Sequence, residues 1–241
     1  MSHGHITGDW GLELFREAAH WKAYLAHLLR PHIRGRVLEV GAGIGGTTQA
    51  LCPSAAADGV QSWICLEPDH KQANRISTMI AAGSLPGICD AVNGQLAGFK
   101  PEDPFDTILY IDVLEHIEDD STEVANAASL LCEGGRLVVL SPAHQALFSR
   151  LDEVAGHHRR YSLAALVALT PPPLRPVQSR YLDSVGMFAS YANRLLLRQG
   201  MPTSAQLALW DRIMVPLSRW LDPLFRYRLG KSVLVVWEKR G

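Results

Sequence analysis

The chain has 241 residues, 47% hydrophobic and 20% charged, which suits one globular domain with a full core. Its 23 basic and 24 acidic residues leave a formal net charge of −1, which excludes a global field that would recruit nucleic acid or an anionic surface. Four widely spaced cysteines without a C-x-x-C pair, no cationic-then-apolar leader in "MSHGHITGDW" and no uninterrupted apolar run of ~18 residues point to a reduced, cytoplasmic protein without a secretory signal or membrane span.

In chain order, Leu12 to Leu29 reads as an amphipathic helix, with Leu14, Ala18, Trp21, Leu25 and Leu28 at three-to-four spacing. "GRVLEV" is a strand, and a helix follows Gly45. "SWICLE" is a strand and Asp69 to Ala82 a helix. "GICDAV" and "FDTILYI" are strands, Thr122 to Leu131 is a helix, and "GGRLVVLS" is a strand. This alternation predicts a parallel sheet with helices on both faces and a ligand beyond the carboxyl ends of the strands. After Ser141 a loop of about twenty residues carries His144, His157 and His158. Ser162 then caps a short helix that ends before Pro171-Pro172-Pro173. "PVQSRYLD" is a strand, Met187–Leu197 and Ala205–Phe225 are helical, and "SVLVVWEK" is the closing strand.

"VLEVGAGIGGTT" places Gly41, Gly43 and Gly46 in a G-x-G-x-x-G turn between a strand and a helix. Glycine there permits a tight turn and close backbone approach to a nucleotide. Glu67, 21 residues after Gly46, ends the next strand and can accept hydrogen bonds from ribose hydroxyls. The alternative is a structural carboxylate in the turn made with Pro68. Nicotinamide dinucleotides and S-adenosylmethionine both use such a turn. Glu39 favours the second, because an acid is unwelcome beside pyrophosphate and useful near an ammonium or sulfonium.

Taken together, the chain resembles the class I S-adenosylmethionine-dependent methyltransferases. "VLEVGAGIGGTT" is similar to their first motif and "CLEPD" to their ribose-binding acid. "NGQLAGF" falls where they meet the adenine, "FDTILYIDVLEHIEDD" resembles their fourth-strand motif, and "LCEGGRLVVLSP" their fifth strand. The resemblance implies a doubly wound, Rossmann-like α/β fold: a mostly parallel seven-stranded sheet with an antiparallel last strand and a helical cap. The resemblance covers roughly Leu12 to Leu169 and the closing strand; with the late helical insertion read as a lid, a single domain over 1–241 is expected, its N-terminal helix at 12–29 and the cap inserted at about 186–229. By carry-over, Glu39, Gly41, Ala42 and Gly43 line the methionine end of the cofactor, and Glu67 with Pro68 the ribose. Gln95 and Leu96 meet the adenine, with Gln95 standing where the family often has Asp. Ile111 and Asp112 flank the amino-acid moiety.

Methyl transfer asks for alignment and for removal of the acceptor's proton. "DVLEH" places Asp112, Glu115 and His116 on one face if the segment turns helical, and "GHHRRYS" brings His157 and His158. Two carboxylates and two imidazoles can hold a divalent cation, magnesium or similar, that acidifies a substrate hydroxyl. Ubiquinone-biosynthesis O-methyltransferases and small-RNA 3′-end 2′-O-methyltransferases carry a similar "E-x-x-E-H" with a later His. Asp112, Glu115, His116 and His157 match those places. The alternatives are a metal-free histidine base, with His144 also a candidate, and structural roles in packing the loop. Arg159 and Arg160 read as loop anchors, or as recognition of an anionic substrate.

From Leu207 to Phe225 the apolar residues keep a helical spacing, Arg212, Arg219 and Arg226 recur every seven residues, and Pro216 and Pro223 are expected to break or kink the run. A lid on the core, a homodimer surface and a basic amphipathic segment on a membrane all fit that pattern. Trp10, Trp21, Tyr24 and Tyr161 are either pocket aromatics or core. The function expected is methylation of a small-molecule acceptor, at oxygen, with no nucleic-acid partner. The rivals are an NAD-dependent oxidoreductase, a methyltransferase of a lipid-linked or glycan substrate, and a non-catalytic cofactor-binding subunit.

Overall fold

The computed structural model describes residues 18–53, 59–197 and 202–241, with only the backbone described at 196 and 197. Helix α1 spans Ala19–Leu29; Leu14 and Trp10 of the sequence reading lie outside the described residues. Strand β1 (Gly35–Val40) runs through the glycine turn into α2 (Gly46–Leu51). Then come β2 (Val60–Glu67), α3 (His70–Ala81), β3 (Cys89–Asn93), β4 (Phe105–Ile111) and α4 (Asp120–Ser129). After β5 (Leu131–Pro142) follow α5 (Arg150–Ala155), α6 (Leu163–Ala168) and β6 (Leu174–Leu182). The cap comprises α7 (Ser184–Ala192), α8 (Ser204–Leu209) and α9 (Val215–Leu224), and β7 (Ser232–Lys239) closes the chain.

The seven strands form one sheet in the order β3-β2-β1-β4-β5-β7-β6. The first five are parallel, whereas β7 is antiparallel to both β5 and β6. The expected α/β fold is present, and the tips of β1, β2, β4 and β5 share one edge. The central strands are apolar on both faces because helices cover both. Successive residues alternate between the two layers. Val37, Leu109, Val138, Leu140, Leu234 and Val236 pack with Trp21 and Leu25 of α1. Leu38, Ile108, Tyr110, Leu137, Val139 and Val235 pack with Val124 and Ala127 of α4.

Local chemistry sets the element ends. Asp69 caps α3 by accepting from the amides of Lys71 and Gln72, and Asp119 caps α4 by accepting from Thr122. That cap starts α4 two residues earlier than the hydrophobic pattern suggested. Within the expected twenty-residue loop, Ser149 and Asp152 form a reciprocal capping box that starts α5. The prolines of the cap do not break it. A wide turn at Trp210–Met214 joins α8 to α9. Pro216 sits in the first turn of α9, where its missing N–H is no loss. Pro223 falls in the last turn, one residue before the helix ends. All four cysteines are free thiols, three of them buried. No helix among the described residues is long and apolar enough to cross a membrane.

Candidate active site

The glycine turn is shaped by its backbone. Gly41, Gly43 and Gly45 have φ of 68°, 57° and 77°, a region other residues enter only with strain. A Cβ on Gly41 would lie 2.7 Å from the Val113 side chain, so the turn after β1 and the turn after β4 touch here. Leu66 Oof β2 accepts the Gly41 amide at 2.8 Å. Glu67 is 5% exposed. Its Oε2 accepts from the Gly43 amide at 2.7 Å and its Oε1 from the Asp69 amide at 2.9 Å. Burial raises the pKa of this carboxyl above its ordinary value, and the two amides oppose that rise. Each oxygen retains a lone pair for a further donor. Asn93 Nδ2 donates to the Glu67 and Pro68 carbonyls, tying the β3 tip to the β2 tip.

The other residues expected at the cofactor differ in burial and in their partners. Glu39 is buried, and its Oε2 accepts from the Thr48 hydroxyl at 2.7 Å and the Trp63 indole at 2.8 Å. It braces α2 from behind the turn, and burial pushes its pKa up to about 7. Leu96 packs in the core beneath β4, whereas Gln95 and Pro68 are exposed beyond the strand ends. Ala42 is buried in the turn. Ile111 ends β4, and Asp112 follows with φ of 55°, its amide donating to Leu140 O.

"DVLEH" forms a single tight turn over Leu114–His116 rather than an α-helix. Asp112, held in the left-handed region, therefore does not share a helical face with Glu115 and His116. Glu115, His116 and His157 come together, offering one ligand atom each within 4.8 Å of one another; Asp112 lies outside that group. The Glu115 backbone carbonyl accepts the His158 amide at 2.8 Å, which fastens the histidine loop to the turn. Glu115 is fully buried, and neither carboxylate oxygen has a hydrogen-bond partner. Burial, with Asp112 adding to it, pushes this carboxyl well above the ordinary range. The neighbouring Ser141 hydroxyl eases that cost without meeting ordinary hydrogen-bond geometry.

His157 is oriented by a residue the sequence reading missed. Asp152, 1% exposed, receives His157 Nδ1 at 2.9 Å and a fork from Arg160 at 2.7 and 2.9 Å. Burial would raise the Asp152 carboxyl, but these bonds and the Arg160 charge outweigh it and hold it well below the usual range. Its signal in the sequence is the S-x-x-D capping pattern at Ser149. Arg160 is thereby committed to Asp152, and Arg159 to Asp120 and the Glu118 carbonyl. Both are loop anchors. His116 meets His157 edge-on, ring centres 4.6 Å apart. His144, with φ of 64°, bonds Gly230 O through Nε2 and stacks on Tyr181 at 5.0 Å. Lys231, also missed, lies 3.5 Å from Asp183 and 3.9 Å above the Trp210 ring. Trp21, Tyr24 and Tyr161 are core residues. Tyr24 donates to Asp222 and Tyr161 to Asp120. A groove of about 720 Å³ between α1 and α2, lined by Lys22, His27, Arg30 and Gln49, meets the glycine turn only at Gly46.

Comparison with known proteins agrees with this frame. A family described as a methyltransferase domain matches residues 10–170. The chain belongs to that family of methyltransferase domains, and its sheet runs in the order β3-β2-β1-β4-β5-β7-β6. Among curated proteins, demethylmenaquinone methyltransferases of two Tropheryma whipplei strains, Twist and TW08/27, are 28% identical over 171 residues. That alignment spans 65% of this chain and 63% of theirs, so the chain matches less than two thirds of their length. Coclaurine N-methyltransferase bound to N-methylheliamine and SAH superposes with a TM-score of 0.62 at 14% identity, over 90% of this chain and 72% of that one. An S-adenosylmethionine-dependent methyltransferase from Clostridium acetobutylicum gives 0.58 at 10% identity, over 93% of each chain. These two likenesses speak to the fold. The oxidoreductase alternative falls with the family match and with the antiparallel β7, which an all-parallel dinucleotide sheet lacks.

Proposed function

We propose that the protein methylates a small-molecule acceptor, at an oxygen atom, with help from a divalent cation held at the histidine corner. The observation that carries this reading is the Glu115 carboxylate, fully buried with both oxygens unpaired beside two imidazoles. An unpaired buried carboxylate is costly, and a proton or a cation relieves it. The glycine turn and Glu67 suit S-adenosylmethionine, which when bound supplies an electrophilic methyl group on sulfur. Glu67 would take the ribose hydroxyls on its remaining lone pairs, and the Asp112 turn would flank the amino-acid end.

Glu115, His116 and His157 would hold the cation, whose chemistry there is to acidify a bound hydroxyl. The Asp152–His157 pair suits a ligand, because Nδ1 is taken by the carboxylate and Nε2 is left to bind. His144 has Nε2 committed to Gly230 O, so its Nδ1 is the atom that would receive the acceptor's proton. The relatives named for demethylmenaquinone support a small organic acceptor. Manganese titration followed by electron paramagnetic resonance tests the cation: one ion per chain is expected, lost in Glu115→Gln. No binding by the unaltered protein would remove the cation from the reading.

A further inference from the structure

The cap helices turn their polarity inside out. Along the run from α8 through α9, Leu209, Ile213, Leu217, Trp220 and Leu224 recur every three or four residues and are all exposed, Trp220 by 81% and Leu224 by 73%. On the opposite face Asp211, Val215, Ser218 and Asp222 are buried. The inward acids are fully occupied. Asp211 accepts from the Trp21 amide, and Asp222 accepts from the Tyr24 hydroxyl and from the amides of Asp183 and Ser184. An amphipathic helix on a water-soluble core shows the reverse order. Phe188 and Leu195 of the first cap segment are exposed too. Every exposed large apolar residue among the described ones lies between Val177 and Phe225.

The charge beside this row has one sign. Arg194, Arg212, Arg219, Arg226 and Arg228 are exposed. The only acids between 184 and 229 are Asp211 and Asp222, both buried. A chain with net charge −1 therefore presents a local face that is apolar and purely cationic. A lid accounts for the inner face of α9 and leaves the outer row unexplained. A symmetric dimer through this face would set arginines against the same arginines. An anionic bilayer satisfies both halves of the pattern, with headgroups for the arginines and the interfacial zone for Trp220, Leu217 and Leu224.

We propose that the outer face of α8 and α9 docks the protein on an anionic lipid bilayer, lying in the interface without crossing it. This goes beyond the proposed reaction and holds whichever atom is methylated. The test is co-sedimentation of the full chain with phosphatidylcholine vesicles, with and without phosphatidylglycerol, at two salt concentrations. Partition is expected to rise about tenfold with the anionic lipid and to fall with salt. Trp220→Ala with Leu224→Ala, and separately Arg212→Glu with Arg219→Glu, are each expected to lower it about tenfold at unchanged melting temperature. Equal partition into both vesicle types would overturn the proposal, as would none into either. Sedimentation equilibrium adds a further contrary result: a dimer dispersed by the same substitutions, without vesicle binding, would assign the face to a second copy.

Discussion

Glu67 at the end of β2 and Glu115 beyond β4 are the same residue at two strand tips that flank β1, 5% and 0% exposed, in opposite chemical circumstances. Glu67 receives two backbone amides. Glu115 receives no hydrogen bond of ordinary geometry, only the nearness of the Ser141 hydroxyl. The first is satisfied by the fold itself and keeps a lone pair on each oxygen. The second is complete only with a proton or a cation. Two buried acids therefore differ in what the fold leaves unsatisfied.

The largest expected effect tests the support behind the second site. Asp152→Asn leaves the Arg160 guanidinium, 14% exposed, without its fork. A loss of about 3–5 kcal/mol in denaturant unfolding is expected; a loss below about 1 kcal/mol would mean that the loop is held by other contacts. Next, Glu67→Ala strands two amides that now bond a carboxylate. It is expected to lower stability by about 2–4 kcal/mol and to abolish tight donor binding. Glu115→Gln sharpens the contrast. It removes a buried acid whose pKa burial holds well above its ordinary range, so the metal-free variant is expected to be more stable than the parent at pH 7, not less. Equal destabilisation by both glutamate substitutions would erase the distinction between the two tips.

Glu39 gives an effect of intermediate size and a definite sign. Its folded pKa of about 7 lies above the ordinary 4.5. Between those values the unfolded chain releases the proton and the folded chain keeps it, so stability falls as pH rises and the full penalty is present above about 7. Glu39→Gln is expected to be more stable than the parent by about 1–3 kcal/mol at pH 8, with the difference fading toward pH 5. A difference independent of pH would show that Glu39 is ionised throughout.

Much of the fold was legible in the sequence. "FDTILYI" and "SVLVVWEK" coincide with β4 and β7 because unbroken apolar runs between turns leave little choice of boundary. The glycine turn and Glu67 were legible as well, since the positive φ of Gly41 and Gly43 and an acid at a strand tip have local signatures. Side-chain direction was not. Glu39 turns toward Thr48 of α2 and Trp63 of the adjacent β2, at positions that no spacing rule connects. Asp112 stands outside the group, and its positive φ, which aspartate tolerates better than most residues, redirects the chain after β4 in a way no spacing rule foretells. Asp152 escaped notice because its partners, Arg160 and His157, meet it through the fold of α5. In the cap, helical spacing was correct for the row of apolar residues, but spacing cannot say which side of a helix faces water.

The most direct measurement is calorimetric titration of the chain with S-adenosylhomocysteine, with NADH as the comparison ligand. One equivalent of S-adenosylhomocysteine is expected to bind, the affinity falling at least about thirtyfold in Glu67→Ala, and NADH is expected to give no heat. Tight binding of NADH with none of S-adenosylhomocysteine would contradict the assignment of the glycine turn and Glu67 to the methyl donor.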